Sequence, residues 1–303
     1  MFLQVTTKIV PTRQEGFQFR NFGLKCWFDS WPGVMLHKLI FPYFCPHSNQ
    51  KLIMPELGII IQARTGSTRM PEKVIQPFFQ EQTILDLLLE KTKKTGVPVV
   101  LATTVNPMDN RICTLAEKHQ VPVFRGSEND VLDRFIQAAQ QFGFSKIIRV
   151  CADNPFLDLA GLKLLINEFS QSDADYLGFQ LAGDKPSILT HFGFWAEAVS
   201  FDALEKAQRL TSEKLYREHV TNFIYANPTL FNVRFIPADP IVFMRTDIRM
   251  TLDTPEDFEI QQKIFAAISK ENPNFAIREI IKWLDSHPEA LEAMKREIEK
   301  NQK

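Results

Sequence analysis

The sequence predicts an α/β protein with a mostly parallel sheet flanked by helices. From Leu57 onwards, short apolar and β-branched runs alternate with longer segments of helical periodicity, as in a parallel sheet covered on both faces. The chain has 303 residues, enough for one large α/β domain or two small ones. Its 45% apolar and 23% charged residues are ordinary for a globular protein.

Strands and helices alternate strictly in the first half of this region. Four strands are predicted, at 57–61, 97–102, 121–124 and 146–151. Each precedes a segment whose apolar residues recur at helical spacing, at 83–94, 109–120, 131–142 and 159–169. Asn129 or Asp130 is a candidate N-cap for the third of these helices. Repeated strand–helix units of this kind predict parallel strand pairing.

After Asp175 the pattern is looser. Strands are predicted at 176–179, 196–201, 231–237 and 243–252, and helices at 201–209, 213–226, 256–267 and 276–285. Thr254 has the properties of an N-cap, Pro255 suits the first helical position, and Asp257 complements the helix dipole. From Pro288 a run rich in Glu and Lys predicts a solvated helix. We therefore expect one domain over 56–270, followed by C-terminal helices over 271–303.

Residues 1–55 do not share this pattern. They are rich in aromatic residues but show neither a period of two nor one of 3.6, and they lack the features of a signal peptide. Cys26, Cys45 and His47 are too scattered for a zinc site. Met54 lies three residues before the first strand. We expect Met54 to be the natural start and the upstream stretch to be a mistaken extension; the alternative is a native segment that packs on the domain or on a partner.

Composition excludes several classes of protein. The formal net charge of −1 gives no basic field that would favour nucleic acid or an anionic membrane. No apolar run reaches the ~18 residues of a membrane span. The cysteines show no Cys-x-x-Cys spacing, so we expect reduced thiols in a cytoplasmic protein; they are Cys26, Cys45, Cys113 and Cys151.

The stretch from Gly58 to Lys73 combines a buried strand with a cationic loop. A loop at the carboxyl end of a first strand is where open α/β sheets place an anion site. It offers three positive charges together with small residues that expose backbone N–H groups and hydroxyls: Arg64, Arg69, Lys73, Gly66, Ser67 and Thr68. This mixture suits a triphosphate. The loop is neither a P-loop nor a dinucleotide fingerprint, because it lacks the glycine spacing of both.

A second polar stretch, 125–134, follows the third predicted strand at the same edge of the sheet. Gly126 allows close backbone approach, and Ser127 and Asp130 offer polar groups to a base or ribose. The alternative is a helix cap followed by surface charges.

Two aspartates close predicted strands at this edge, Asp153 after the fourth strand and Asp253 before the helix at 256–267. Carboxylates beside a triphosphate are natural Mg²⁺ ligands. Each alone could equally be a turn or cap residue.

Residues 62–73, Gln-Ala-Arg-Thr-Gly-Ser-Thr-Arg-Met-Pro-Glu-Lys, resemble the signature loop of the sugar-acid cytidylyltransferases, the CMP-KDO and acylneuraminate synthetases. The likeness is greatest to the spore coat polysaccharide biosynthesis protein F branch. The other three motifs follow in the family's order, and the resemblance runs over 57–264. It implies a nucleotide-diphospho-sugar transferase fold with a small mixed subdomain that closes on the sugar and often mediates dimerisation.

The resemblance also implies a function. It is the Mg²⁺-dependent transfer of CMP from CTP to a sugar or sugar acid, with release of pyrophosphate, in surface polysaccharide biosynthesis. The implied partners are CTP and the acceptor, with a homodimer as the expected assembly.

Matching residues carry the implied roles. Those that neutralise the departing pyrophosphate are Arg64, Arg69 and Lys73. Those that bind the nucleotide are Ala63, Arg64, Gly66, Ser67, Thr68, Lys73, Gly126, Ser127, Asp130, Val131 and Arg134. Those that hold Mg²⁺ are Asp153 and Asp253, and those that face the acceptor are Glu197, Glu218 and His219.

Some positions leave alternatives open. Asp109 falls where the family often has an acid near the nucleotide, but it could cap a helix, and His219 could pack rather than bind. Trp195 replaces an acid of the family pattern, which predicts a lost polar contact or a stacking surface for the sugar. The alternative functions are a glycosyltransferase of the same fold and a non-catalytic nucleotide-binding protein. Asp173-Ala-Asp175 has the spelling of a glycosyltransferase metal motif, but its position between a predicted helix and a predicted strand favours a turn or a solvated pair.

Overall fold

The computed structural model describes residues 56–301. The hypotheses about Met54, Cys26, Cys45 and His47 lie outside the described residues. Within the range 56–301, no helix is both long and apolar enough to cross a membrane.

The described chain alternates strands and helices as expected. The strands are β1 (Leu57–Gln62), β2 (Pro77–Phe79), β3 (Gln82–Thr83), β4 (Val99–Thr104), β5 (Val123–Gly126), β6 (Lys146–Cys151), β7 (Tyr176–Gln180), β8 (Glu197–Ser200) and β9 (Val233–Pro237). The helices are α1 (Ile84–Lys93), α2 (Asn110–Lys118), α3 (Val131–Phe142), α4 (Leu159–Ser170), α5 (Phe201–Leu210), α6 (Lys214–Glu218), α7 (Asn222–Tyr225), α8 (Pro255–Glu271), α9 (Ile277–Asp285) and α10 (Pro288–Lys300).

Seven of the strands in this part of the chain form one sheet in the order β5-β4-β1-β6-β8-β7-β9, while β2 and β3 form a separate hairpin. The central strand β1 pairs in parallel with β4 and with β6. Only β8 runs against its two neighbours in this sheet. The prediction of a mostly parallel sheet is therefore confirmed, and the carboxyl ends of β1, β4, β5 and β6 share one edge.

Two apolar layers cover the sheet, one on each face. Ile59 and Ile61 of β1 face a core that includes α1, α4, α8 and α9, whereas Ile60 faces α3 and α5. All three side chains are fully buried. Burial of one such side chain stabilises the fold by about 1.5–3 kcal/mol, so the continuous apolar run of β1 contributes to both layers.

The C-terminal helices join the first of these layers. Ile281 and Leu284 of α9 and Met294 of α10 lie in the same core as β1. The prediction of a solvated helix from Pro288 is thus only partly right, because α10 buries Met294 and the charged Glu297 while its remaining surface is mostly exposed.

The predicted helix at 213–226 is wrong as a single element. The structure has two short helices, α6 and α7, separated where His219 leaves helical geometry at φ −103° and ψ 78°. The break places the fully buried Val220 in the core and lets Thr221 reach Glu197, 3.0 Å away.

The predicted strand at 243–252 is also wrong, and Asp253 therefore does not end a strand. The backbone N–H groups of Met250 and Thr251 donate to the carbonyl of His191 at 2.7 and 3.0 Å instead of joining the sheet. The buried Arg249 side chain pairs with Asp257 in α8 and holds the segment in this irregular path. The predicted cap of α8 is confirmed, with Thr254 and Asp257 forming a capping box and Pro255 in the first turn.

Acid stability should depend on Asp86, which forms the capping box of α1 with Thr83 and accepts a 2.6 Å hydrogen bond from His119 Nε2. Burial alone would raise the pKa of Asp86, but the hydrogen bonds from His119 and Thr83 outweigh it and lower the pKa to about 2. Since an aspartate in an unfolded chain has a pKa of about 3.9, the stabilising effect of the ionised carboxylate is complete above that value and is lost as the pH falls towards 2.

We expect Asp86→Asn to lower the free energy of unfolding by roughly 2 kcal/mol at pH 6 and by much less at pH 2.5. Urea denaturation of both proteins across this range measures the difference. A difference that stays constant with pH would contradict the assignment.

Candidate active site

A cleft of about 420 Å³ opens at the carboxyl ends of β1 and β6. Its walls come from the signature loop after β1, the turn after β6, the end of α6 and the irregular segment before α8. Its lining residues are Gln62, Ala63, Arg64, Ser67, Thr68, Arg69, Lys73, Val74, Val131, Arg149, Cys151, Ala152, Asp153, Asn154, Ile188, Glu218, His219, Thr251 and Asp253. The structure thus brings most of the predicted cations and acids into one cleft.

The signature loop is anchored by Asp109, a residue that is 1% exposed. One oxygen accepts from the backbone N–H and hydroxyl of Thr65 at 2.8 and 2.6 Å. The other accepts from the hydroxyls of Thr103 and Thr104 at 3.0 and 2.5 Å. Burial would raise the pKa of Asp109, but these hydrogen bonds lower it below its ordinary value. Asp109 therefore ties the loop to the end of β4, and its side chain makes no hydrogen bond that caps α2.

Lys73 is the most buried of the three loop cations, with 8% of its side chain exposed. Its ammonium lies 2.9 Å from Asp153 Oδ2 and 3.6 Å from Asp253 Oδ1, and it also donates to the carbonyl of Leu252. Lys73 thus joins the loop after β1 to both acidic segments.

The other two loop cations are more exposed. Arg69 Nη2 lies 3.2 Å from Asp253 Oδ1, and Arg64 Nη2 lies 3.7 Å from Glu218 Oε1 at the end of α6. About half of the Arg69 side chain is exposed, so its guanidinium is accessible from the cleft while it lies beside Asp253.

Asp253 is held by a buried network although it ends no strand. Its backbone N–H donates to Asp257 Oδ2 at 2.9 Å, and its Oδ2 accepts from Arg249 at 3.1 Å. Arg249 is fully buried and also donates to both carboxylate oxygens of Asp257, at 2.7 and 2.8 Å. These contacts fix the direction of the Asp253 carboxylate.

The donor set fits a small divalent cation. Carboxylate oxygens of Asp153 and Asp253 converge on one point, which in this structure is the Lys73 ammonium. Among the described residues no group of three or more His, Cys, Asp or Glu side chains could hold a metal. Two carboxylates with the remaining positions left to phosphate oxygens and water match the preference of Mg²⁺, which is usually held by one or two carboxylates and substrate phosphates.

Most of the second motif lies behind the cleft wall. Asp130 caps α3 by accepting from Asp133 N at 2.9 Å, and its other oxygen accepts from Arg217 Nε at 2.8 Å. Val131 is the residue of this motif that lines the cleft. Gly126 permits tight packing, since a Cβ there would lie 2.9 Å from Arg134 Cγ. Nucleotide binding by Gly126, Ser127, Asp130 and Arg134 stays a prediction.

Arg134 is a fully buried cation with unused donors. Its Nη1 donates to the carbonyl of Ser127 at 2.6 Å, while Nε and Nη2 make no hydrogen bond within the described chain. Burial, together with repulsion from Arg64, lowers its pKa to about 10, so it stays charged at neutral pH. Nε and Nη2 form one edge of the guanidinium, the edge that binds planar acceptors in a bidentate manner.

Glu197 lies behind the cleft floor rather than in it, so its predicted contact with the acceptor is revised. The buried carboxylate pairs with Arg149 and accepts from Tyr176 Oη at 2.6 Å and Thr221 Oγ1 at 3.0 Å. Burial and the neighbouring Glu197 raise the pKa of Tyr176 well above its ordinary value, which keeps its hydroxyl a donor. Glu197 therefore contacts the cleft-lining Arg149 rather than the cleft itself.

Arg149 is a lining residue that the sequence analysis missed. Its Nη2 lies 3.4 Å from Gln62 Oε1, and both side chains line the cleft floor. The signal was present in the sequence, because an arginine within the apolar run of β6 has no apolar role and needs a partner or a ligand.

The remaining predicted positions divide between cleft and core. Glu218 and His219 line the cleft, and their contact with an acceptor stays a prediction. Trp195 does not: it is 9% exposed and stacks on Phe179 with ring centroids 5.5 Å apart. The expected stacking surface for the sugar is therefore absent at Trp195, which packs in the core.

The Asp173-Ala-Asp175 motif lies away from the cleft. Asp175 precedes β7, which runs parallel to β6 across the antiparallel β8, so this motif lies at the opposite edge of the sheet. Asp173 Oδ1 pairs with Arg234 at 2.6 Å, and Asp175 Oδ2 accepts from the backbone N–H of Asn232 at 2.9 Å. This position removes the structural support for a glycosyltransferase metal site.

The sheet order and the cleft define the class of protein. A cationic loop after the first strand, facing carboxylates in a mostly parallel sheet with one reversed strand, is the arrangement of a nucleotidyltransferase with the nucleotide-diphospho-sugar transferase fold. A solved cytidylyltransferase from Leptospira borgpetersenii has a similar structure, with a TM-score of 0.67 and 30% identity over 78% of this chain and 96% of that one.

Sequence comparisons give the family. The family model described as cytidylyltransferase matches residues 58–282. The chain is 33% identical to the spore coat polysaccharide biosynthesis protein SpsF of Bacillus subtilis, over 78% of this chain and 97% of that protein. It is 40% identical to the uncharacterized protein MJ1063 of Methanocaldococcus jannaschii, over 76% of this chain and 90% of that protein. The chain belongs to the cytidylyltransferase family, as its motifs predicted.

Proposed function

We propose that this protein transfers CMP from CTP to a sugar or sugar acid and releases pyrophosphate, in surface polysaccharide biosynthesis. The observation that carries the proposal is the meeting of Lys73 with Asp153 and Asp253 in one cleft. This joins an anion-binding loop to a pair of candidate metal ligands, as transfer of a nucleotidyl group requires. The name of the B. subtilis relative supports the link to polysaccharide biosynthesis.

The chemistry is an in-line displacement. An acceptor oxygen forms a bond to the α-phosphorus of CTP, the bond to the bridging oxygen breaks, and pyrophosphate departs with the electron pair. Arg64, Arg69 and Lys73 neutralise the charge that builds up on the leaving group, which is the main way such sites lower the barrier. Because the acceptor attacks the α-phosphorus directly, this reaction requires no covalent intermediate with the protein.

Mg²⁺ is the proposed cofactor, held by Asp153 and Asp253. When bound, it would supply charge neutralisation and orientation of the phosphates. Lys73 contacts the same carboxylates, so its ammonium would add positive charge beside phosphates bound there.

The acceptor is proposed to bind in the same cleft, against residues that are neither loop cations nor candidate metal ligands. Gln62 and Arg149 form its floor, and Glu218 and His219 form its wall. Arg149 is held by the buried Glu197, so it presents fixed N–H donors to a polar acceptor.

The test is pyrophosphate release with Mg²⁺ and each of CTP, UTP, ATP and GTP, against a panel of sugar acids, neutral sugars and sugar phosphates. We expect release with CTP and one class of acceptor. Equal release with UTP would contradict the cytidylyl preference. Binding of CTP without release of pyrophosphate for any acceptor would favour a non-catalytic nucleotide-binding protein. The position of Asp173 and Asp175 argues against a glycosyltransferase but not against this alternative.

A further inference from the structure

Helix α10 contacts the segment that carries one of the proposed metal ligands. The backbone N–H of Arg249 donates to Met294 Sδ at 3.5 Å, and Thr254 Oγ1 donates to Glu297 Oε2 at 3.1 Å. Met294 and Glu297 are both buried. Because Thr254 follows Asp253 directly, the last turns of α10 fix this side of the cleft. α10 lies beyond the residues that the family model matches.

Asn301, which follows α10, links the helix to the signature loop. Its Nδ2 donates to the carbonyl of Glu297 at 2.9 Å, which turns Oδ1 outwards. Oδ1 accepts from Arg69 Nη1 at 2.6 Å. The same guanidinium lies 3.2 Å from Asp253. Two acceptors, one on each of two segments, therefore hold an arginine side chain that would otherwise be mobile in solvent.

We infer that Asn301 is a positioning residue for the pyrophosphate end of the nucleotide site, acting through Arg69. The inference rests on the proposed function, in which Arg69 binds the β- and γ-phosphates. An arginine has many rotamers, and fixing it before the ligand arrives reduces the entropy that binding must remove. Asn301 is neutral, so it orients the guanidinium without competing for its charge as a carboxylate would.

The test is a double-mutant cycle on ligand affinity, measured by calorimetric titration with Mg²⁺ present. The proteins are the wild type, Asn301→Ala, Arg69→Ala and the double variant, and the probes are CTP and CMP. We expect Asn301→Ala to weaken CTP binding about fivefold, the effect of one hydrogen bond. It should leave CMP binding unchanged, because CMP lacks the phosphates that Arg69 contacts. In the Arg69→Ala background, loss of Asn301 should have no further effect.

Glu299→Ala is the matched control, since Glu299 is exposed in the last turn of α10, close to Asn301 in the chain but in none of the cleft contacts described above. It should bind CTP as the wild type does. Unchanged CTP affinity in Asn301→Ala would overturn the inference. Equal weakening of CTP and CMP, or additive effects with Arg69→Ala, would indicate a general structural effect and overturn it too. A wild type that binds no CTP would remove the proposed function itself, whereas CTP binding that depends on Arg69 but not on Asn301 would remove the inference alone.

Discussion

Asp153→Asn is expected to lower kcat for pyrophosphate release by about a thousandfold, the upper range for loss of one group that stabilises transition-state charge. The amide keeps the shape of the side chain but removes the negative charge that would hold Mg²⁺. The fold should stay intact, because about a third of the Asp153 side chain is exposed and Lys73 keeps its contacts with Asp253 and Leu252. Steady-state kinetics over a range of Mg²⁺ concentrations would measure the loss.

Asp173→Asn is the matched control for this variant. It makes the same chemical change in an exposed aspartate at the other edge of the sheet, where Asp173 pairs with Arg234. We expect its kinetics to match the wild type. Near-normal turnover by Asp153→Asn, at any Mg²⁺ concentration, would remove Asp153 from the proposed metal site.

Glu197→Leu is expected to give the largest loss of stability, about 3–5 kcal/mol in the free energy of unfolding. The substitution leaves the buried Arg149 guanidinium without its counter-charge and removes the acceptor for Tyr176 and Thr221. Denaturant unfolding followed by circular dichroism measures the change.

A second substitution separates the uncompensated charge from simple loss of contacts. The double variant Glu197→Leu, Arg149→Leu replaces the whole pair with apolar side chains and should recover much of the stability, because buried ion pairs often exchange for apolar groups at little net change. It should not recover activity if Arg149 binds the acceptor. A loss below about 1 kcal/mol in the single variant would contradict the buried network.

Much of the fold was predictable because its signals are local. The strand β1 is a short apolar run, and Asp130 and Thr254 are N-cap residues that immediately precede α3 and α8. The strand order could not be predicted, because it depends on pairing between strands that are distant in the sequence. The segment before Asp253 was wrongly predicted as a strand because its apolar and polar residues alternate. Its actual path depends on a contact outside the segment, between Arg249 and a carboxylate eight positions further along the chain.

The site was predictable where one motif supplied the chemistry, as with Arg64, Arg69 and Lys73. It was not predictable where the arrangement of side chains depends on contacts between distant segments. Glu197 was assigned from its neighbours in sequence, yet its surroundings are Arg149 and Tyr176 on other strands. Asn301 had no sequence signal, since its contact with Arg69 spans 232 residues.

The buried carboxylate of Asp109 has a consequence for how the signature loop comes to be ordered. Thr65 and the end of β4 share this one acceptor. The loop therefore takes its shape when the sheet assembles, and its entropy is lost in folding rather than in each encounter with a nucleotide. Under the proposed function, an incoming triphosphate would meet a loop base that is already ordered. Stability and affinity are thus coupled at Asp109. A substitution that removes its hydrogen bonds to the loop would lower both the melting temperature of the protein and its affinity for the nucleotide.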